Sequence, residues 1–195
     1  AYKMKGNGTV KLNGKEVKFN SPAAAIKAGI GYVTEDRKMT GLILNQSIRF
    51  NVSMASLSRI IEHGVLSPSK EKVIVNELKD GLHIKTENIE NPVSSLSGGN
   101  QQKVVLAKWL ATKPGILILD EPTRGVDVGA RFEIYMIIKE LAAQGNTIII
   151  ISSDLPEIIG ISNRVYVMYE GKVHGELLKD ELGEDSIMRY ATGIA

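Results

Sequence analysis

The sequence contains no cysteine, which excludes a disulfide framework and any thiolate metal site and permits a reducing cytoplasmic setting. Its apolar runs stop at four or five residues, as in Ile116 to Leu119 and Ile148 to Ile151, far short of the roughly 20 that cross a bilayer. Any membrane association is therefore expected to come through a partner. The three histidines, His63, His83 and His174, fit no metal-ligand spacing, and each reads as a solvated or satisfied side chain. Neither sign of charge dominates: 24 Lys and Arg against 22 Asp and Glu leave a formal +2, too little to argue for nucleic acid. No basic, apolar, small-residue leader opens the chain, so export is unsupported. A first residue of Ala1 rather than Met is what a fragment or a processed chain would show. There is no internal repeat and no low-complexity segment.

What is present is the make-up of an ordinary soluble globular protein. The 195 residues are 43% hydrophobic and 24% charged, enough for one domain, or for a core with one inserted subdomain. Residues Thr9 to Phe19 alternate in two short β-rich halves around Asn13-Gly14, the mark of a hairpin with a two-residue type I′ turn. Ser21 stands where it would cap a short helix that carries Pro22 in its first turn and ends at Gly29, ahead of a strand from Ile30 to Thr34. The polar stretch EDRKMTG ends that strand. From about 45 to 91 the apolar positions recur at helical spacing, with breaks at Gly64, Pro68, Gly81 and Pro92, which predicts an inserted helical subdomain over 41–95.

After Pro92 strands and helices alternate, the pattern of an α/β sheet with parallel strands. Val104 to Ala107 and Trp109 to Ala111 leave only Lys103 and Lys108 polar, so this helix is expected to be enclosed on most sides. The runs ILIL at 116–119 and TIIII at 147–151 lack alternation, as expected of central strands covered on both faces. Between them Ile134, Ile137, Ile138 and Leu141 form a helical stripe. A second hairpin is expected around Glu170-Gly171, and a last helix from about 181 to 190.

The most specific chemistry lies in Leu96-Ser97-Gly98-Gly99-Asn100-Gln101-Gln102-Lys103, just ahead of a helix. Paired glycines allow close backbone approach, and a helix start offers unpaired N–H groups and partial positive charge, so the site suits a phosphate. Ser97 adds a hydroxyl donor. A bare SGG would be no more than a Ser-capped helix after a flexible turn. Downstream, the strand ILIL ends in Asp120-Glu121-Pro122-Thr123. Two adjacent carboxylates at the end of a buried parallel strand lie where open α/β sheets bind ligands, and their charge there is costly unless a cation or proton is handled. In RGVDVGAR at 124–131, Asp127 either caps the helix that begins near Gly129 or meets a partner. Asp154-Leu-Pro-Glu157 looks like a capping box.

Taken in order, these segments resemble the ATP-binding-cassette ATPases: β hairpin, Q-loop strand, helical insert, signature motif at 96–103, Walker B, D-loop and switch strand. The NQQK form of the signature is similar to the second cassette of bacterial monosaccharide importers, of which ribose and galactose types are the nearest look-alikes. The resemblance implies an α/β, P-loop NTPase-like fold: 1–40 a small antiparallel β portion with the Q-loop strand, 41–95 the helical subdomain, 104–195 the α/β core. It implies ATP and Mg²⁺ as cofactors. Ser97, Gly98, Gly99 and Gln101 would contact nucleotide, Asp120 would hold Mg²⁺ through water, and Glu121 would be the general base for the attacking water. Asp127 would lie at the contact between two cassettes.

Three departures accompany the resemblance. No GxxxxGK[ST] occurs in the 195 residues, and Gly6-Asn7-Gly8 has neither its spacing nor its lysine, so the N-terminal part of a cassette is expected to be missing. Glu35 stands where most cassettes have the Q-loop glutamine, and it could bind or sense Mg²⁺. Ser152-Ser153-Asp154 stands where the switch histidine belongs, with Ser153 at the catalytic position. A serine cannot act as a charged γ-phosphate contact. Two functions are therefore expected as alternatives: a cassette that hydrolyses ATP for sugar uptake, or a regulatory cassette that completes the opposing cassette's ATP site. The implied partners are a transmembrane sugar permease, the opposing cassette and, indirectly, an extracytoplasmic sugar-binding protein, with the cassette peripheral on the cytoplasmic face of the inner membrane. A soluble cassette acting on DNA or ribosomes would need long coiled-coil inserts or strongly basic patches, and neither is present.

Overall fold

A computed structural model describes residues 8–194; Ala1, Gly6 and Asn7 lie outside the described residues. Strands β1 (Val10–Leu12) and β2 (Lys15–Val17) pair antiparallel. Asn13 and Gly14 both take positive φ, 52° and 76°, as a type I′ turn requires. Helix α1 (Pro22–Lys27) starts at Ser21, whose Oγ accepts the N–H of Ala24 at 3.2 Å. It leads into β3 (Ile30–Val33).

The stretch after β3 is a π-helical turn, Arg37–Gly41, rather than a plain loop. Asp36 nucleates it, with Oδ1 accepting the N–H groups of Lys38 and Met39 and its carbonyl accepting those of Thr40 and Gly41. The 41–95 stretch holds α2 (Ile48–Ser53), α3 (Leu57–Ile60) and α4 (Pro68–Gly81). It is not wholly helical, because His63 and Gly64 both take positive φ and turn a small hairpin between β4 (Ile61–Glu62) and β5 (Val65–Leu66). The Gly64 break is thus a strand reversal.

Helix α5 (Gly98–Leu110) runs through the centre, with Val104, Val105, Leu106 and Ala107 fully buried. Burying each large aliphatic side chain contributes about 1.5–3 kcal/mol. The expected enclosure extends to both lysines. Lys103 Nζ donates to the carbonyl of His83 at 3.0 Å and to Glu133 Oε2 at 2.7 Å, and Lys108 Nζ donates to the carbonyl of Gly41 at 2.5 Å. Stripe residues Ile134, Ile137, Ile138 and Leu141 of α6 (Val128–Ala143) join the same core.

The core sheet has the order β3-β6-β7, all parallel, with β6 (Ile116–Asp120) in the middle and β7 (Thr147–Ile151) at the edge among the described residues. This corrects one expectation. In β6 Leu117 and Leu119 are fully buried while Ile116 and Ile118 on the other face are only half-buried, and in β7 Ile149 and Ile151 are 48% and 50% exposed, so each unbroken apolar run packs one face into the core and leaves the other partly open. After α7 (Leu155–Ile161), β8 (Arg164–Tyr169) and β9 (Lys172–Leu178) form the second hairpin around Glu170-Gly171, and α8 (Glu184–Ala191) packs on it through Ile187.

Candidate functional site

Parallel pairing brings the C-terminal ends of β3, β6 and β7 to one edge of the sheet, where ligands of open α/β sheets bind. Asp120 is the last residue of β6, and its Oδ2 accepts the hydroxyl of Tyr32 on β3 at 2.7 Å. That hydrogen bond, with burial and the carboxylate's charge, raises the Tyr32 phenol above its ordinary pKa. Glu121 follows at φ 47°, a left-handed conformation that costs a non-glycine residue about 1–2 kcal/mol. Its N–H donates to the carbonyl of Ile151 at 2.8 Å, continuing the β6–β7 ladder. Its carboxylate then faces the end of β7, where Oε1 accepts both the N–H of Ser153 at 2.9 Å and the Ser153 hydroxyl at 2.8 Å. Ser153 therefore touches the carboxylate. Asp154, next along, caps α7 by accepting the N–H of Glu157 at 3.1 Å. The capping box is not reciprocal, because the buried Glu157 side chain accepts the Thr123 hydroxyl at 2.8 Å instead.

Two helix starts meet beside this edge. Ser97 caps α5, its exposed Oγ accepting from Asn100 Nδ2 at 3.0 Å and from the Asn100 N–H at 3.5 Å. Asp127 caps α6, its Oδ1 accepting the N–H of Ala130 at 3.0 Å. The helices touch at Gly99: a Cβ there would lie 2.3 Å from the Ala130 Cβ. Between them lies a cavity of ≈ 270 Å³ whose lining includes Lys85, Ser97, Gly99, Asn100, Asp127 and Glu133. Two helix N-termini border this cavity, and helix starts carry unpaired N–H groups and positive partial charge; the carboxylates of Asp127 and Glu133 line it as well.

The resemblance implies Gln101 as a nucleotide contact; in this structure it lies on the inner side of α5. Its side chain is buried and turned into the fold, with Nε2 donating to the carbonyls of Leu96 at 3.1 Å and Val93 at 3.3 Å. A residue at this point of a helix packed on the core faces its own entering loop, so Gln101 shapes the signature turn from behind. Glu35 is ion-paired with Arg124 across the two loops. Tyr32, Arg37 and Arg124 were not identified from the sequence as site residues; only the run EDR beside Glu35 hinted at Arg37.

Among the described residues no group of three or more carboxylate or imidazole side chains converges on one point. A single carboxylate at a strand end still fits Mg²⁺, which keeps several waters and binds through one or two carboxylates plus substrate phosphates. Asp120 would hold it. The paired helix starts likewise fit an anion of the phosphate class.

The sequence pattern of the ABC transporter family matches residues 2–124. The chain is 53% identical over 187 residues to the ribose import ATP-binding protein RbsA of Lactococcus lactis subsp. cremoris, covering 96% of this chain and 38% of that protein. It is 54% identical over 192 residues to the RbsA of Halalkalibacterium halodurans, covering 98% of this chain and 38% of that protein. A putative ribose/galactose/methyl galactoside import ATP-binding protein of H. halodurans is 48% identical over 189 residues, covering 97% and 36%. The chain thus spans well under half the length of these relatives. In structure it superposes on a nucleotide-free ATP-binding cassette from an ABC transporter with TM-score 0.74 at 22% identity, covering 95% of this chain and 73% of that one. It also superposes on a dimeric ATP-binding cassette in a post-hydrolysis state bound to ADP and Pi, with TM-score 0.72 at 21% identity, covering 86% and 72%. With the parallel sheet, the carboxylates at its strand ends and the glycine-led helix beside them all in family order, the chain belongs to the ABC transporter family.

Proposed function

We propose that this chain is the second ATP-binding cassette of a bacterial monosaccharide importer, coupling ATP binding and hydrolysis to sugar uptake through a membrane permease. The observation that carries the reading is Glu121, held at the end of β6 with one oxygen fixed by two donors from Ser153. An oriented carboxylate there can take a proton from an attacking water as general base. Mg²⁺, held by Asp120, would supply charge neutralisation of the phosphates when bound. Ser97 and the α5 N-terminus would give hydrogen-bond donors and positive potential to the phosphates of a nucleotide seated on the opposing cassette. The names of the relatives support ribose or a galactose-type sugar as the cargo. Function of this kind puts the cassette on the cytoplasmic face of the membrane, against the permease and indirectly served by a sugar-binding protein. The described residues contain no helix long and apolar enough to cross a membrane.

A second reading rests on the residue type at the same point, a serine rather than a histidine at 153. The Ser153 hydroxyl is engaged with Glu121, at the position where a histidine would meet the γ-phosphate, so this half could serve as a regulatory partner that completes the other cassette's site. Steady-state ATP turnover of the full-length protein with this half altered decides between them. Glu121→Gln is expected to stop turnover attributable to this half and to lower sugar uptake; unchanged turnover and uptake would reject hydrolysis here.

A further inference from the structure

We infer that Arg37 is a positioning residue for the ATPase reaction: its guanidinium fixes the loop at 124–127, and Gly98 beside it, to the loop that leaves β3. The inference rests on the ATPase reading above. Arg37 Nη1 donates to the carbonyl of Arg124 at 2.6 Å and Nη2 donates to the carbonyl of Gly125 at 2.9 Å. A planar fork spans two successive carbonyls in this way; a lysine ammonium, a single point of charge on a flexible stem, does not reproduce it. Nη2 also closes over the signature turn, since a Cβ added at Gly98 would lie 2.9 Å from it. Two residues earlier on the same loop, Glu35 pairs with the side chain of Arg124. The loop after β3 therefore grips Arg124 twice, by carboxylate on guanidinium and by guanidinium on carbonyl.

The grip has a rigid mounting. Arg37 opens the π-helical turn Arg37–Gly41, which Asp36 caps at one end. At the other end the carbonyl of Gly41 receives Lys108 of α5. One short segment thus ties the signature helix, the strand end that bears Glu35 and the loop that delivers Asp127 two residues after Gly125. Arg37 Nε is buried without a hydrogen-bond partner among the described residues, an orphan donor that costs free energy. The side chain is held by its far end, where it sets the spacing of three loops that carry proposed site residues.

The test is steady-state ATP turnover of the full-length ATPase with its permease, comparing wild type, Arg37→Lys and Arg37→Gln, with thermal melts of each. Misplacing reacting groups by about an ångström from a distance costs up to roughly a hundredfold. Both variants are expected to lose roughly ten- to a hundredfold in kcat, with KM for ATP within about twofold and melting within about 4 °C of wild type. Full rescue by lysine would overturn the inference, because charge alone would then suffice. A kcat loss that in both variants tracks a larger fall in melting temperature would also overturn it, by making the residue structural. Glu121→Gln in the same preparation separates the two claims. If it abolishes turnover while Arg37→Lys behaves as wild type, only the role of Arg37 fails; if it leaves turnover intact, the ATPase reading fails and this inference with it.

Discussion

Ser153 holds a single oxygen of Glu121 with two donors, its N–H at 2.9 Å and its hydroxyl at 2.8 Å. The backbone donor is delivered by the end of β7 and the side-chain donor by the residue itself, so the carboxylate is fixed in direction as well as place. Oε2 takes no hydrogen bond among the described residues. A carboxylate arranged in this way presents one oxygen to its support and the other to whatever occupies the strand ends.

Removing the hydroxyl leaves the N–H in place and so isolates its share. Hydrogen bonds to charged groups contribute about 1.5–3 kcal/mol, and about 1.4 kcal/mol is tenfold in rate. On the proposed ATPase reading, Ser153→Ala is expected to lower kcat of the full-length protein about tenfold or more with KM for ATP nearly unchanged. A raised KM at constant kcat would mean that Ser153 serves nucleotide binding instead.

Gly99 allows α5 and α6 to touch. A Cβ at Gly99 would sit 2.3 Å from the Cβ of Ala130, and neither atom is at the end of a flexible side chain. Gly99→Ala is expected to destabilise the fold by about 1–3 kcal/mol through overpacking, and Ala130→Gly to cost about 1 kcal/mol in helix propensity. The double variant should be less destabilised than the sum of the two, which a denaturant-melt cycle measures. Simple additivity would show that the helices part freely at this point.

Lys108 carries its ammonium into the core with one acceptor, the carbonyl of Gly41, and burial lowers its pKa below the ordinary lysine value. Between the lowered folded value and the ordinary unfolded one, the unfolded chain binds more protons, so this residue's contribution to stability rises with pH. Below the folded value both states are charged and the burial penalty is fully present. The stability difference between Lys108→Met and wild type should therefore shift in favour of wild type as pH is raised toward about 10. The raised Tyr32 and Tyr135 act in the opposite sense, but they are present in both proteins and cancel in the difference. A pH-independent difference in urea midpoints would contradict the assignment.

The 195 residues by themselves are expected to bind Mg-ATP weakly. A phosphate loop offers several backbone donors and a lysine, each charge-assisted bond contributing about 1.5–3 kcal/mol. Without about three of them, roughly 5–9 kcal/mol is lost, comparable to the ~8 kcal/mol of a micromolar complex. Isothermal titration of this chain should give a millimolar or weaker Kd, and a micromolar value would refute the account of the site.

The two hairpin turns, the caps at Ser21, Ser97, Asp127 and Asp154, and the order of the motifs were legible in the residues themselves. Their energetics are settled within three or four positions: a positive φ at Asn13-Gly14, or an oxygen meeting an N–H three residues on. The roles of Asp120, Glu121 and Glu35 were implied by the family order, but the Ser153 grip on Glu121 was not, because it spans 32 positions and depends on the β6–β7 register. Arg37 reaches across 87 and 88 positions to two carbonyls, and a carbonyl leaves no mark in a sequence. Gln101 could have faced either way from the same eight-residue motif; the loop at 93–96 packed behind α5 turned it inward. The run TIIII reads as a strand by composition alone, whereas the exposure of Ile149 and Ile151 follows from what packs against β7. Local turn and cap chemistry belongs to the sequence because its partners are neighbours in the chain; the direction in which a side chain is spent belongs to the tertiary structure, because its partners arrive from elsewhere.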